Sequence, residues 1–287
     1  MTALLIAAAL VFTPGDAHLA YETARTLVYG HTPRNSGTAE SRRAAEFISA
    51  EAAKAGARAT LDVFRAASAD DEREFANVVA ELPRGNANDG WVVLVSHFDT
   101  KHGVDCPGAN DGASTSGLLV GLAAAIARCE GFGGNVQLVW TDGEECVRSY
   151  CPEDGLQGSK RAAKALGLSG RKVLAVIVLD MLGDEDLSVS VPLNGTPWLR
   201  QLASSAAAAV GEPQLVRPIQ GAVTDDHVPF LFRGMPAVDL IDFSYGPSNA
   251  YWHAAQDTMA HVSEKSLLKS GRLVAEMVNR ILKGGAQ

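Results

Sequence analysis

Val136-Gln-Leu-Val139-Trp140-Thr-Asp142-Gly143-Glu144-Glu145 is an apolar run that stops in a turn carrying two adjacent carboxylates. Its length and composition predict a buried strand with both acids at its mouth. Upstream, Trp91-Val-Val-Leu-Val95 finishes in Ser96-His97-Phe98-Asp99, and Asp111 follows in Gly108-Ala-Asn-Asp-Gly112. Downstream, Val173 to Leu179 ends in Asp180. Three strand-like segments thus each deliver a His or a carboxylate at the carboxyl end, where open α/β sheets bind ligands. Any one of these residues alone is more commonly a helix cap or a hydrogen-bonded core group, but the same chemistry recurs at successive strand ends. With Asp226-His227 and Trp252-His253 added, the set reads as a zinc site, because Zn2+ takes imidazole nitrogen and carboxylate oxygen and leaves a position open for catalysis.

Outward from these strands, the pattern predicts one α/β domain with a central, mostly parallel, twisted sheet flanked by helices on both faces. Gly37 to Ala57 reads as an amphipathic helix, with Ala44, Ala45, Phe47, Ile48, Ala52 and Ala55 on one side. Ala59 to Phe64 and Phe75 to Leu82 read as an edge hairpin around the charged turn Ala69 to Arg73. Ala113 to Arg128, Gly158 to Leu166, Pro197 to Val210 and Ser263 to Leu282 read as helices, and Ala237 to Ile241 as a further strand. At 287 residues and 47% hydrophobic, the chain can bury one substantial core. A formal charge of −8 with no basic stripe excludes nucleic acid and other polyanions as partners.

Residues 1–17 read as either a candidate signal peptide or an N-terminal helix, leaving 18–287 as a single catalytic domain. The apolar stretch Met1 to Phe12 lacks a positively charged start and is too short to span a membrane. Cys106, Cys129, Cys146 and Cys151 contain no C-x-x-C pair, so they form two disulfides or four thiols, and a Cys146–Cys151 bridge would stiffen the loop after Glu145. The even count favours a secreted or periplasmic protein, with a cytoplasmic location as the alternative. A monomer is expected.

The order His97-x-Asp99, Asp111, Asp142-Gly-Glu144-Glu145, Leu179-Asp180, Asp226-His227 and His253 resembles the zinc aminopeptidase clan, which includes the animal-type glutaminyl-peptide cyclotransferases, or glutaminyl cyclases. The resemblance runs from about Tyr21 to the carboxyl terminus. It implies a zinc aminopeptidase-like α/β sandwich in which Asp111, Glu145 and His253 bind zinc and Glu144 is the general acid/base. In the aminopeptidases, residues matching His97 and Asp180 hold a second zinc, with Asp111 bridging. In the cyclases one zinc is normally kept, and the counterparts of Glu144 and Asp180 move protons.

Asp225 before Asp226-His227, Trp252 before His253, and Asp154-Gly-Leu-Gln-Gly158-Ser-Lys160 resemble the cyclase branch, where that Asp and Trp line the glutamine pocket. The alternative is that Asp225 caps the helix beginning near His227 and Trp252 is a packing aromatic. Tyr150 stands where the cyclases usually have tryptophan and Thr224 where they often have glutamine; both are expected to touch substrate. The Phe243 to Asn249 loop is longer than the usual approach to Trp-His. The resemblance therefore implies a zinc enzyme acting on peptide N-termini, expected to be a cyclase releasing ammonia from N-terminal glutamine. The alternatives are a two-zinc aminopeptidase and a catalytically silent binding domain.

Overall fold

The three apolar runs form the middle of an eight-stranded sheet in the computed structural model, which describes residues 8–69, 71–86 and 88–284. The strands are β1 (Arg58–Ser68), β2 (Asp71–Pro83), β3 (Trp91–His97), β4 (Asn135–Thr141), β5 (Val173–Asp180), β6 (Val189–Val191), β7 (Val216–Pro218) and β8 (Ala237–Ile241). The helices are α1 (Pro14–Gly30), α2 (Ala39–Lys54), α3 (Thr115–Arg128), α4 (Gln157–Leu168), α5 (Pro197–Ala209), α6 (His227–Leu231) and α7 (Glu264–Leu282). Strand order is β1-β2-β4-β3-β5-β8-β6-β7. Pairs β4/β3, β3/β5 and β5/β8 are parallel, and the β1/β2 hairpin joins β4 antiparallel. The expected mostly parallel sheet is therefore present, with an antiparallel hairpin at one edge, β1 and β2 longer than the sequence pattern suggests, and β6 and β7 additional to it.

Alternation along the strands divides the core. Val92 and Leu94 face the layer built by α1, α2, α3, α5 and α7, whereas Val93 and Val95 face α4 and α6. Both faces of the central strands are thus covered, which is why β3 and β4 read as uninterrupted apolar runs.

Helix α1 lies tightly on α3. A Cβ at Gly117 would come 2.1 Å from the Ala20 carbonyl oxygen, and one at Gly121 would come 2.6 Å from that of Asp16. Only glycine permits this approach. Residues 1–7 of the candidate signal segment lie outside the described residues, while residues 8–17 belong to the packed domain. Leu10 exchanges two hydrogen bonds with the Asn279 side chain on α7 (2.7 and 2.9 Å), and Phe12 is buried. Thr13 and Asp16 form a reciprocal cap at the start of α1. The four cysteines are free, and Cys146 Sγ faces Lys101 Nζ rather than Cys151. Among the described residues, no helix is long and apolar enough to cross a membrane.

Candidate active site

The carboxyl ends of β3, β4 and β5 deliver His97, the Glu144–Glu145 turn and Asp180 to one place. Two groups of potential metal ligands meet there: Asp111 with Glu145 and His253, and His97 with Asp111 and Asp180. Asp111 is common to both. His253 Nε2 is 2.7 Å from Glu145 Oε1 and 3.4 Å from Asp111 Oδ2. His97 Nε2 is 3.1 Å from Asp111 Oδ1 and 3.1 Å from Asp180 Oδ1. Buried Asp111 Oδ2 and Glu145 Oε2 have no hydrogen-bond partner among the described residues.

Local backbone geometry holds these groups. Asp99 accepts the amide protons of Glu144 and Glu145 (3.2 and 3.1 Å), which fixes the turn. Asp142 takes the Ser41 hydroxyl and the Ala76 amide, and burial with the Asp99 charge pushes it up to about 8. Asp111 sits at a kink in the turn Ala109–Ser114 that leads into α3, its backbone (φ −82°, ψ 96°) non-helical and followed by Gly112 at φ 93°. Arg34, fully buried, donates to the carbonyls of Phe98, Pro107 and Gly108 and clamps that loop from behind.

Glu144, Asp180, Asp225, Tyr150, Thr224 and Trp252 all line a cavity of about 320 Å³, together with Asp111, Glu145 and His253. The other residues expected at the site, His97, Asp226 and His227, do not line this cavity: His97 is buried against Asp111 and Asp180, Asp226 accepts from Thr141, and His227 is fully buried. The Tyr150 hydroxyl donates to Glu144 Oε1 at 2.9 Å. Trp252 stacks on the His253 ring, centroids 4.1 Å apart and planes 26° apart, and meets Phe243 edge-on. Asp225 does not cap α6 through a longer reach; its carboxylate accepts the amide of Asp226, and Asp226 itself occupies the cap position without a side-chain cap bond.

The electrostatics separate the carboxylates. Burial, then the adjacent Glu145 charge, raises Glu144 well above the ordinary glutamate range. Burial and the charges of Asp180 and Asp226 do the same to Asp225. Burial would also raise Asp111, but the His97 hydrogen bond and charge, with His253 and Arg34, hold it below its ordinary value. His97, whose burial favours the neutral ring, is raised well above its ordinary value by Asp180 and Asp111.

Besides Arg34, three contributors escaped sequence reasoning. Lys101 Nζ lies 3.3 Å from Glu145 Oε2 and donates to the Cys146 carbonyl at 2.8 Å. Asp257 accepts from the Asn110 amide, the Asp111 amide and the Tyr245 hydroxyl (2.7, 3.2 and 2.8 Å). Asp239, inside β8, faces Asp225 and His227. Lys101 stands only two residues beyond Asp99, the one cue that its side chain reaches the same strand end.

Residues 77–278 match Peptidase family M28. A glutaminyl-peptide cyclotransferase-like protein of Bos taurus is 28% identical over 297 residues, covering 91% of this chain and 74% of that protein. The crystal structure of a glutaminyl cyclase from an Acidobacteriales bacterium superposes with a TM-score of 0.87 at 31% identity, covering 97% of each chain. A Zn-dependent exopeptidase from Parabacteroides distasonis shares the fold, with a TM-score of 0.84 at 23% identity over 94% of this chain and 99% of that one.

Proposed function

The chain belongs to peptidase family M28, and on that premise we propose that it is a zinc-dependent glutaminyl-peptide cyclotransferase, converting N-terminal glutamine of peptides to pyroglutamate with release of ammonia. One observation carries this reading: Asp225, Tyr150 and Trp252 converge with Glu144 on a single small cavity over Asp111, Glu145 and His253. Its relatives named as glutaminyl cyclases support the same assignment.

The Asp111, Glu145 and His253 donors fit zinc. One atom from each lies within 4.8 Å of the others, the set mixes imidazole with carboxylate, and two of its oxygens, Asp111 Oδ2 and Glu145 Oε2, are buried without a hydrogen bond, facing His253 and Lys101 only as ion pairs at 3.4 and 3.3 Å. A zinc held there supplies Lewis acidity toward the γ-carboxamide oxygen. We assign one ion to this cavity-facing set.

The remaining chemistry belongs to side chains. In cyclisation the substrate's own α-amine attacks its γ-amide carbon, so positioning supplies much of the rate. Trp252 and Tyr150 wall the glutamine stem and fold the amine back toward the amide. Glu144 takes a proton from the α-amine and returns it to the departing nitrogen as the C–N bond breaks, leaving ammonia. Burial and the Glu145 charge raise its pKa, which favours holding the proton between the two transfers. Tyr150 orients the Glu144 carboxylate through its bond to Oε1. Asp180 and Asp225, both raised by burial, complete the proton network around the leaving group.

The His97, Asp111 and Asp180 cluster favours a second reading, a two-zinc aminopeptidase in which Glu144 deprotonates water. Mass spectrometry of a glutamine-leading and a leucine-leading peptide separates the two. Loss of ammonia from the first, with its residue retained, supports the cyclotransferase. Release of the first residue from either peptide overturns it and assigns His97 and Asp180 to a second ion.

A further inference from the structure

Behind the cavity, on the side of β8, lies a third group of potential ligands that the proposed chemistry leaves unexplained. Asp225, His227 and Asp239 each offer one ligand atom, and these atoms lie within 4.8 Å of one another. Their exposures are 4%, 0% and 0%. Both carboxylate oxygens of Asp239 and both ring nitrogens of His227 lack a hydrogen-bond partner among the described residues. Buried polar groups are normally paired, and an unpaired buried carboxylate is among the costliest groups a fold can hold. Here two carboxylates and an imidazole share one buried space, and the β5/β8 pairing, which sets Asp239 opposite Val178, holds Asp239 in it.

We propose that Asp225, His227 and Asp239 form a second, solvent-excluded metal site for a divalent transition ion of the zinc type. Charge and donor chemistry both point there. Two carboxylates and a neutral imidazole exactly offset a dipositive ion, so the filled site is neutral, as a buried site needs to be. The imidazole argues against Mg2+ and Ca2+, which prefer all-oxygen shells. Since Asp225 also lines the cavity, an ion behind it would pin that carboxylate; this consequence rests on the proposed cyclotransferase reading, whereas the site itself does not. Because His227 and Asp239 are fully buried, the ion would exchange slowly.

The decisive experiment measures metal content rather than turnover. His97→Ala/His253→Ala, which takes a donor from each cavity-facing group, is expressed with zinc, treated with EDTA, desalted and analysed by inductively coupled plasma mass spectrometry, with circular dichroism confirming the fold. About one chelator-resistant ion per chain is expected, falling to near zero when Asp239→Asn is added. No retained ion in the folded double variant, or retention that Asp239→Asn leaves unchanged, overturns the proposal. Should either variant fail to fold, anomalous diffraction from zinc-grown wild-type crystals decides: a peak between Asp225, His227 and Asp239 supports the site, and its absence overturns it. A wrong activity assignment would show in the peptide assay and leave these counts unaffected.

Discussion

The Tyr150 hydroxyl donates to Glu144 Oε1 across 2.9 Å, so the aromatic wall of the cavity and the proposed proton carrier are one hydrogen-bonded unit. A tryptophan at that position could wall the cavity but could not reach the carboxylate in the same way.

Tyr150→Phe removes this donor and keeps the ring. A hydrogen bond to a charged group contributes about 1.5–3 kcal/mol, so kcat is expected to fall about tenfold or more with KM little changed. Steady-state kinetics on a glutamine-leading peptide check this. Equal kcat in Tyr150→Phe and wild type would show that the bond does not organise Glu144 for turnover.

Glu144→Gln is expected to lower turnover by about 10²-fold or more, the usual contribution of a positioned acid/base, while zinc stays bound. His253→Ala and Glu145→Ala are expected to lose zinc and turnover together, because each removes a donor from the first cluster. Parallel metal analysis and ammonia release distinguish the two patterns. Zinc loss in Glu144→Gln would move that residue from proton transfer to metal binding.

Trp252 is 41% exposed yet stacked on His253, so it can serve the substrate, the ligand ring or both. Trp252→Ala is expected to raise KM for a glutamine peptide about tenfold, in line with an aromatic contact of about 1–1.5 kcal/mol, and to leave zinc content near wild type. Loss of zinc in step with activity would make the indole a prop for His253.

The elements that carry the site were legible because burial on both faces writes β3, β4 and β5 as continuous apolar runs whose polar termini stand out. Asp111, Glu145, His253, His97 and Asp180 could be picked out for that reason. By contrast, β6 and β7 span three residues each, too few for any period to show. Asp239 was hidden by its setting: within Ala237-Val-Asp-Leu-Ile241 it interrupts a strand by a single polar residue, which sequence pattern cannot tell from an edge position. Arg34 and Asp257 act across separations of 64 and 147 residues, and no local pattern encodes such contacts. The cysteine count left two disulfides and four thiols equally open, because pairing depends on where the folded loops place the sulfurs.

At the other end of the chain, Asp16 caps α1 through Thr13 and is held by Arg128 at 2.7 and 2.8 Å. Burial alone would raise its pKa; the bonds from Arg128 and Thr13 outweigh that and lower it. A lowered carboxylate contributes stability above its unfolded value, near 3.9, and the contribution is lost as pH falls through the folded value. Asp16→Asn is therefore expected to cost about 1 kcal/mol at pH 7, with the gap to wild type closing at an acid pH below the lowered folded value. Urea unfolding at the two pH values measures it. A gap of constant size would mean that shape rather than charge holds the cap.

Asp257 ties together the two loops that supply Asp111 and His253. It lies four positions beyond His253 in the chain, and its two oxygens accept the amides of Asn110 and Asp111 while Tyr245 donates to Oδ1. Asn at this position keeps the size but presents only one acceptor atom, so one loop amide loses its partner and the Asp111 carboxylate is held less firmly relative to His253. Groups that orient metal ligands typically contribute 10–100-fold to affinity, and Asp257→Asn is expected to weaken zinc binding by about tenfold. Competition with a chromogenic chelator gives the affinity directly. The comparison that isolates the effect is kcat at saturating zinc, expected to recover toward wild type, since Asp257 does not line the cavity. A kcat that stays low with zinc fully bound would mean that the loop pairing shapes the cavity as well as the metal site.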